Sequence, residues 1–373
     1  MTACERRDRP TPPDRIEALM ANERSETKAI EALTLLLPGD VELPLRLIPK
    51  GKFRMGSRNG LTWEQPVHWV ELTESFYMGV TPVTQLQWRA LVKARKGSGA
   101  DLEENPSHFK DDGDQRPVEN VSCIHCMQWC DQLTEAIRSK EVVDTSSGQE
   151  LIRLYATLPT EAQWEYACRG PQKIDQEENK NGDQKVHWAT TDYFNGDGDA
   201  ALDQVGWYDK NSGFQTHPVK SFSPNDWGLY DCHGNVWEWC WDDWDVDAYR
   251  KRVDGVQDPC TPSRAVRWQD RDNSDNALRV IRGGSWVNSA GDCRAAFRFG
   301  RRPVDRDWYR GFRVCLLAPG PRPSQPAGEV GSESSPSQAR RQAEAGNDDD
   351  GEPDLSRLAA DPPQSGGEIL SDF

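Results

Sequence analysis

Three stretches of this chain carry side chains that could do chemistry. The first runs Arg282-Gly283-Gly284-Ser285-Trp286, then Cys293-Arg294-Ala295-Ala296-Phe297-Arg298, then Arg310-Gly311-Phe312-Arg313-Val314. Cys293 sits among arginines, a setting that lowers a thiol's pKa and favours the nucleophilic, metal-binding thiolate. A buried structural cysteine is the competing reading. The glycine pair suits a sharp turn or a close approach of the backbone to another group.

The second stretch is Asp231-Cys232-His233-Gly234-Asn235-Val236-Trp237-Glu238-Trp239. Its two carboxylates and its main-chain oxygens suit one hard cation, calcium above all. A structural turn packed by the neighbouring tryptophans fits the same spacing equally well. His233 reads as a hydrogen-bonding or packed side chain. The third stretch, Cys123-Ile124-His125-Cys126-Met127-Gln128-Trp129-Cys130, contains a Cys-x-x-Cys half-site. Its cysteines also fall on one stripe of an amphipathic helix that continues to Leu133. No second Cys-x-x-Cys is present, so core packing is the stronger reading.

The elements that must position these stretches are partly legible. One helix begins near Thr84 and carries Leu86, Trp88, Leu91 and Val92; another follows Ser122. A third has Thr160 as N-cap, Gln163 completing a capping box, and Gly170 at its end. Val70-Glu71-Leu72 and Phe76-Tyr77-Met78 read as strands, and Leu45–Met55 as a strand pair. From Arg15 to Leu37 the spacing of Ile16, Leu19, Met20, Ile30, Leu33, Leu36 and Leu37 predicts a short amphipathic helix stopped by Pro38-Gly39. Beyond about residue 190 periodicity fades, which points to irregular structure held by buried aromatics, with bound ions satisfying backbone carbonyls. The expected organisation is an N-terminal helical extension at 1–43, one domain at 44–318, and a disordered acidic tail at 319–373.

Composition narrows the class. Lys plus Arg is 45 and Asp plus Glu is 61, a net charge of −16 over 373 residues. That balance argues against nucleic acid as a partner. No run approaches the ~20 apolar residues of a membrane helix. The N-terminus has no apolar run behind its mixed charges, so no secretory signal is expected. Ten cysteines spread over so long a chain fit a reducing compartment. The expectation is a soluble cytoplasmic protein with no membrane and no nucleic-acid partner; oligomeric state is unknown from sequence. Fifteen tryptophans point to an aromatic-rich core or a binding surface built from rings.

Taken in order, several segments resemble the formylglycine-generating enzyme (sulfatase-modifying factor) family. They are Gly51–Ser57, Pro82-Val83-Thr84, Arg116–Ser122, Leu158–Tyr166, Gly228–Trp239, Arg282–Trp286 and Gly311-Phe312-Arg313. The resemblance implies an irregular α+β fold with a C-type-lectin-like core. Active members oxidise a sulfatase cysteine in a Cys-x-Pro-x-Arg context to formylglycine, using O₂ and copper(I). Two cysteines five apart hold the metal. Their positions here fall on Asn288 and Cys293, with Ser285 and Trp237 as the other catalytic-site matches. A neutral amide cannot replace a thiolate on copper(I), so the copper site does not carry over whole. The implied structural calcium site falls on Asp231, Gly234, Val236 and Glu238, the glycine and valine through main-chain carbonyls. Asn211 lies roughly where a second calcium site would be. No His-x₃-His-x-Glu iron motif is present, which sets aside the sulfoxide synthases that share the fold.

Residues 283–313 also resemble the variable stretch of ligand-binding proteins from diversity-generating retroelements. On that layout Cys293 and the arginines are scaffold. Val287, Asn288, Ser289, Asp292, Phe297, Phe299, Asp305, Trp308 and Tyr309 would then form an exposed surface for a protein or peptide ligand. The sequence therefore favours a scaffold that binds a ligand. An active formylglycine-generating oxidase and a variable retroelement protein are the alternatives.

Overall fold

In the computed structural model, Ala32–Leu37 is a strand, β1, where a helix was expected. Burial alternates along it, with Leu33, Leu35 and Leu37 inside, the period-two pattern of a strand. Pro38-Gly39-Asp40 turns the chain, Gly39 and Asp40 taking positive φ, and β2 (Val41–Ile48) returns antiparallel with Leu37 opposite Val41. Pro38-Gly39 thus ends a strand, and the extension at 1–43 is not helical across 32–37. The structure describes residues 32–318 except 98–101, 112, 145–150, 172–173, 179–183, 189, 263–268 and 270–276. The rest of the expected helix and the expected tail lie outside the described residues.

β1 and β2 belong to a six-stranded sheet completed by β5 (Phe76–Gly79), β6 (Val143–Asp144), β7 (Tyr155–Thr157) and β17 (Cys315–Leu317), in the order β6-β1-β2-β5-β17-β7. Leu45–Met55 does hold two strands, but they do not pair. Pro49 interrupts the run, and β3 (Gly51–Met55) joins β4 (His68–Leu72) and β13 (Val256–Gln257) in a separate sheet. A third sheet carries most of the candidate chemistry. Its order is β15 (Arg298–Arg301), β14 (Arg279–Arg282), β12 (Trp237–Asp243), β16 (Arg310–Gly311). Short pairs β8 (Ile174–Glu178) with β9 (Gln184–Trp188) and β10 (Gly206–Trp207) with β11 (His233–Gly234) complete the strands.

All three expected helices are present: α1 (Gln85–Ala94), α2 (Cys123–Arg138) and α3 (Glu161–Arg169). Each opens with a reciprocal capping box, at Thr84/Gln87, Ser122/His125 and Thr160/Gln163, so two orphan N–H groups are satisfied at every start. Cys123, Cys126 and Cys130 are buried on the inner stripe of α2 beside Trp129, Leu133 and Ile137. The Cys-x-x-Cys is core packing. From residue 190 onward long loops are pinned by single contacts, such as Ala295 N to Asp192 O at 2.7 Å.

Candidate functional site

The glycine pair makes the geometry of the site. Gly283 and Gly284 both take positive φ, +94° and +69°, and a Cβ added to Gly284 would lie 2.5 Å from Cys293 Sγ. Only glycine lets the backbone turn there and sit against that sulfur. Beyond the turn, Ser285 Oγ donates to Asn288 Oδ1, and Trp237 Nε1 donates to the same oxygen at 2.8 Å. Asn288 O accepts from Asp209 N at 3.0 Å. The structure therefore brings Ser285, Trp237 and Asn288 into one buried hydrogen-bonded cluster, with Cys293 packed behind it against Tyr193, Leu202, Val205, Tyr208 and Ala290.

Two expectations about this cluster change. Cys293 is not in an electropositive setting: burial, with Asp292 and Asp209 nearby, pushes its thiol well above the usual range. The arginines that suggested otherwise each face a carboxylate, although Arg282 Nε and Arg310 Nε and Nη1 are left without a hydrogen bond among the described residues. Arg282 and Arg298 meet Glu161 and Glu165 of α3, Arg294 holds Glu64 through two bonds at 2.8 and 2.9 Å, and Arg313 holds Glu238. Burial alone would raise Glu161, yet Arg298 and Arg282 bring it down to about 2. Asn288 and Phe297, expected on an exposed surface, are inside. Asn288 is fixed by the bonds above, and the Phe297 ring lies 5.9 Å from Trp237.

The calcium expectation meets a similar obstacle. Asp231, Gly234, Val236 and Glu238 do share one buried turn. Gly234 again has positive φ, with room beside Trp207 O for no side chain. Glu238, however, accepts from Arg313 Nη2 at 2.8 Å, Arg313 Nε at 3.1 Å and Trp164 Nε1 at 2.7 Å. Arg313 Nη2 also donates to the carbonyls of Tyr230 and Asp231. Asp231 accepts from Lys220 N and Asn235 Nδ2, and burial raises it to about 6. Arg313 therefore already neutralises Glu238 and caps the Asp231 carbonyl, so a cation at this turn would have to share those oxygens with a guanidinium. Asn211 serves its own turn, accepting from Tyr208 N at 2.8 Å and donating to Gly206 O at 2.9 Å. Among the described residues no cluster of three or more His, Cys, Asp or Glu could hold a metal.

His233 is buried and locked. Its Nε2 accepts from Phe194 N at 3.3 Å, so Nδ1 carries the proton and donates to Cys293 O at 2.8 Å. Burial lowers its pKa to about 4, leaving a neutral ring that fixes the Cys293 backbone.

Outside this interior, four loops meet at one face. The Trp308 ring stacks on His108 at 3.8 Å and 8°, and Phe109 meets the edge of Trp286 at 5.4 Å. Trp286 Nε1 donates to Trp308 O, and Ser212 Oγ donates to Trp286 O. Two residues on from Ser212, Phe214 is 69% exposed with φ of 61°, a conformation rare for an aromatic. Of the other residues expected on the binding surface, Ser289 and Trp308 are exposed, and Val287, Asp292, Phe299, Asp305 and Tyr309 are half-buried. Sequence reasoning missed His108, Phe109 and Phe214. Their one signal is an aromatic beside Pro106-Ser107 or Ser212-Gly213 in a loop.

A model of the sulfatase-modifying factor enzyme 1-like domain matches residues 44–317. The chain belongs to that family. A formylglycine-generating enzyme of Thermomonospora curvata is 31% identical over 230 residues, 61% of each chain. A Paenibacillus barcinonensis protein named chaperone protein LppX is 29% identical over 257 residues, 60% of this chain and 73% of its own. Among solved structures, Treponema denticola variable protein 1 superposes with a TM-score of 0.58 at 28% identity, covering 77% of this chain and 99% of that one. The family member therefore has the expected mixed α+β fold, and it spans under two thirds of the length of that formylglycine-generating enzyme. Among the described residues no helix is long and apolar enough to cross a membrane.

Proposed function

We propose that this member of the family is a ligand-binding module rather than a thiol oxidase, and that it binds a protein or peptide through the four-loop aromatic face. The observation that carries this reading is Asn288. It occupies the first copper-ligand position of the family pattern, and its oxygen is already taken by Trp237 Nε1 and Ser285 Oγ. A soft cation that wants two thiolates meets one amide and one deeply buried thiol held in its protonated form. Ser285 and Trp237 act here as the supports of the 286–289 loop.

The face has what binding needs. Aromatic side chains give large contact area at low ordering cost, and the buried cluster beneath keeps the loops in register. The likeness to the Treponema variable protein supports placing the binding surface on the 283–313 stretch, the layout of a retroelement variable protein.

The test is mass spectrometry of a Cys-x-Pro-x-Arg peptide after incubation with the copper(I)-loaded protein under air, beside an active formylglycine-generating enzyme. The expected result is an unchanged peptide here and aldehyde in the control. Aldehyde formed by this protein would overturn the reading and assign Cys293 a catalytic role.

A further inference from the structure

The stretch 301–310, which contributes Trp308 to the aromatic face, holds four arginines against two aspartates in a chain whose net charge is −16. Most of these arginines are spent locally. Arg302 pairs with Asp305, Arg306 with Glu103, and Arg310 Nη2 with Asp307. Arg301 has neither an ion pair nor a hydrogen bond from its guanidinium among the described residues. Arg310 is buried, yet its Nε and Nη1 have no hydrogen-bond partner; Asp305 stands 3.8 Å from Nη1, beyond bonding distance.

The two guanidiniums lie over one side of the third sheet. Phe299 and Trp239 both pair with Ile281, one from each neighbouring strand, and directly opposed residues share a face. Arg301 covers the Phe299 ring at 4.3 Å, while Arg310 lies 5.9 Å from Trp239 and 5.3 Å from Tyr309. Burial, and then the nearness of Arg310, make Arg301 easier to deprotonate than a free arginine. Buried donors without acceptors cost free energy, and two like charges placed together add to it.

We propose that Arg301 and Arg310 form an anion subsite of the binding face, which takes a carboxylate of an acidic peptide ligand. The inference rests on the binding reading above and adds the ligand's chemistry to it. A guanidinium fork meets a carboxylate through two parallel bonds. Arg301 is the half-exposed member that meets the anion first, and Arg310 supplies the unpartnered donors behind it. The stacked rings hold both forks in place.

The test uses the full chain with sodium acetate, inorganic phosphate and sodium chloride at matched ionic strength, read by tryptophan fluorescence and melting temperature. Acetate should give a saturable change that chloride does not, and Arg301→Gln should weaken it at least tenfold while keeping the far-UV spectrum. If the glutamine variant does not fold, Arg301→Lys, which keeps charge but loses the fork, should weaken acetate several-fold. Changes equal to those in chloride overturn the subsite, as does acetate binding unaffected by either variant. A response to phosphate alone overturns the carboxylate assignment. No peptide is involved, so a negative result here leaves the binding reading intact.

Discussion

Two regions of this domain satisfy buried charge to different degrees. At its centre, under the Gly283-Gly284 turn, every guanidinium meets a carboxylate, with Arg282 Nε alone left without a hydrogen bond among the described residues: Glu161 and Glu165 with Arg282, Arg298 and Arg169, Glu238 with Arg313, Glu64 with Arg294. At the loop end Arg302, Arg306 and Arg310 also meet acids, but the matching is less complete. Among the described residues Arg301 makes no ion pair, Arg310 pairs with Asp307 but leaves Nε and Nη1 without a hydrogen bond, and Glu119, fully buried, has one oxygen with no hydrogen bond. Buried pairs are tolerable because each charge satisfies the other. Leaving charges unmatched lowers stability, which is why the proposed anion subsite is placed at the loop end.

The largest expected effect breaks the matched region. Glu161→Ala removes the carboxylate that Arg298 meets through both Nε and Nη2 and that Arg282 also contacts. Arg282 keeps Glu165, but leaving the buried Arg298 guanidinium without this carboxylate should cost about 3–5 kcal/mol. Urea unfolding monitored by fluorescence would show it as a lower midpoint at unchanged slope. A loss under about 1 kcal/mol would mean the centre is no better matched than the loops.

A middle-sized effect should come with opposite sign from the unmatched region. Glu119 Oε1 accepts from Phe109 N at 2.9 Å, so it holds the His108-Phe109 ledge, and Gln85 Nε2 binds Phe109 O from the other side. Burial raises Glu119 to about 8, against partial relief from the Phe109 and His108 amides, Lys110 and Arg116. Between about 4.5 and about 8 the unfolded chain has released a proton that the folded protein keeps. Stability from this group therefore falls as pH rises through that window, by at most about 1.4 kcal/mol per pH unit, and is flat above it. Glu119→Gln should match wild type near pH 4.5 and exceed it by a few kcal/mol near pH 8.5. A wild-type-minus-variant difference that ignores pH would show that the carboxyl is not held neutral.

How much of this was readable in the sequence depended on the range of the interaction. Capping boxes at Thr84, Ser122 and Thr160 involve residues three apart; the one at Thr160 and the starts of all three helices were legible. So was the Gly-Gly approach to a neighbouring group. Leu33, Leu36 and Leu37 fit a helical stripe as well as Leu33, Leu35 and Leu37 fit a strand, and the hairpin partner at Val41–Ile48 decided between them. The arginines around Cys293 looked like an electropositive pocket because their partners come from α3 and from Glu64, more than a hundred residues earlier. A run of like charges says nothing of what the fold lays against it. The same limit hid His108 and Phe109, whose meeting with Trp308 and Trp286 is purely tertiary, and the exposed Phe214 beside Ser212.

The smallest expected effect sharpens the matched side of the comparison. If Arg313 is the cation that Glu238 was built to hold, removing calcium with a chelator and restoring it should leave the melting temperature where it was, since a ligand that binds only the folded state must shift it. Glu238→Gln should then lower stability equally in both conditions, because the loss is that of a bond to arginine. A chelator-sensitive melting temperature that becomes insensitive in Glu238→Gln would reverse the assignment. It would mean that Arg313 gives way to the ion, and that the turn from Asp231 to Glu238 is matched by a metal instead of by the chain's own guanidinium.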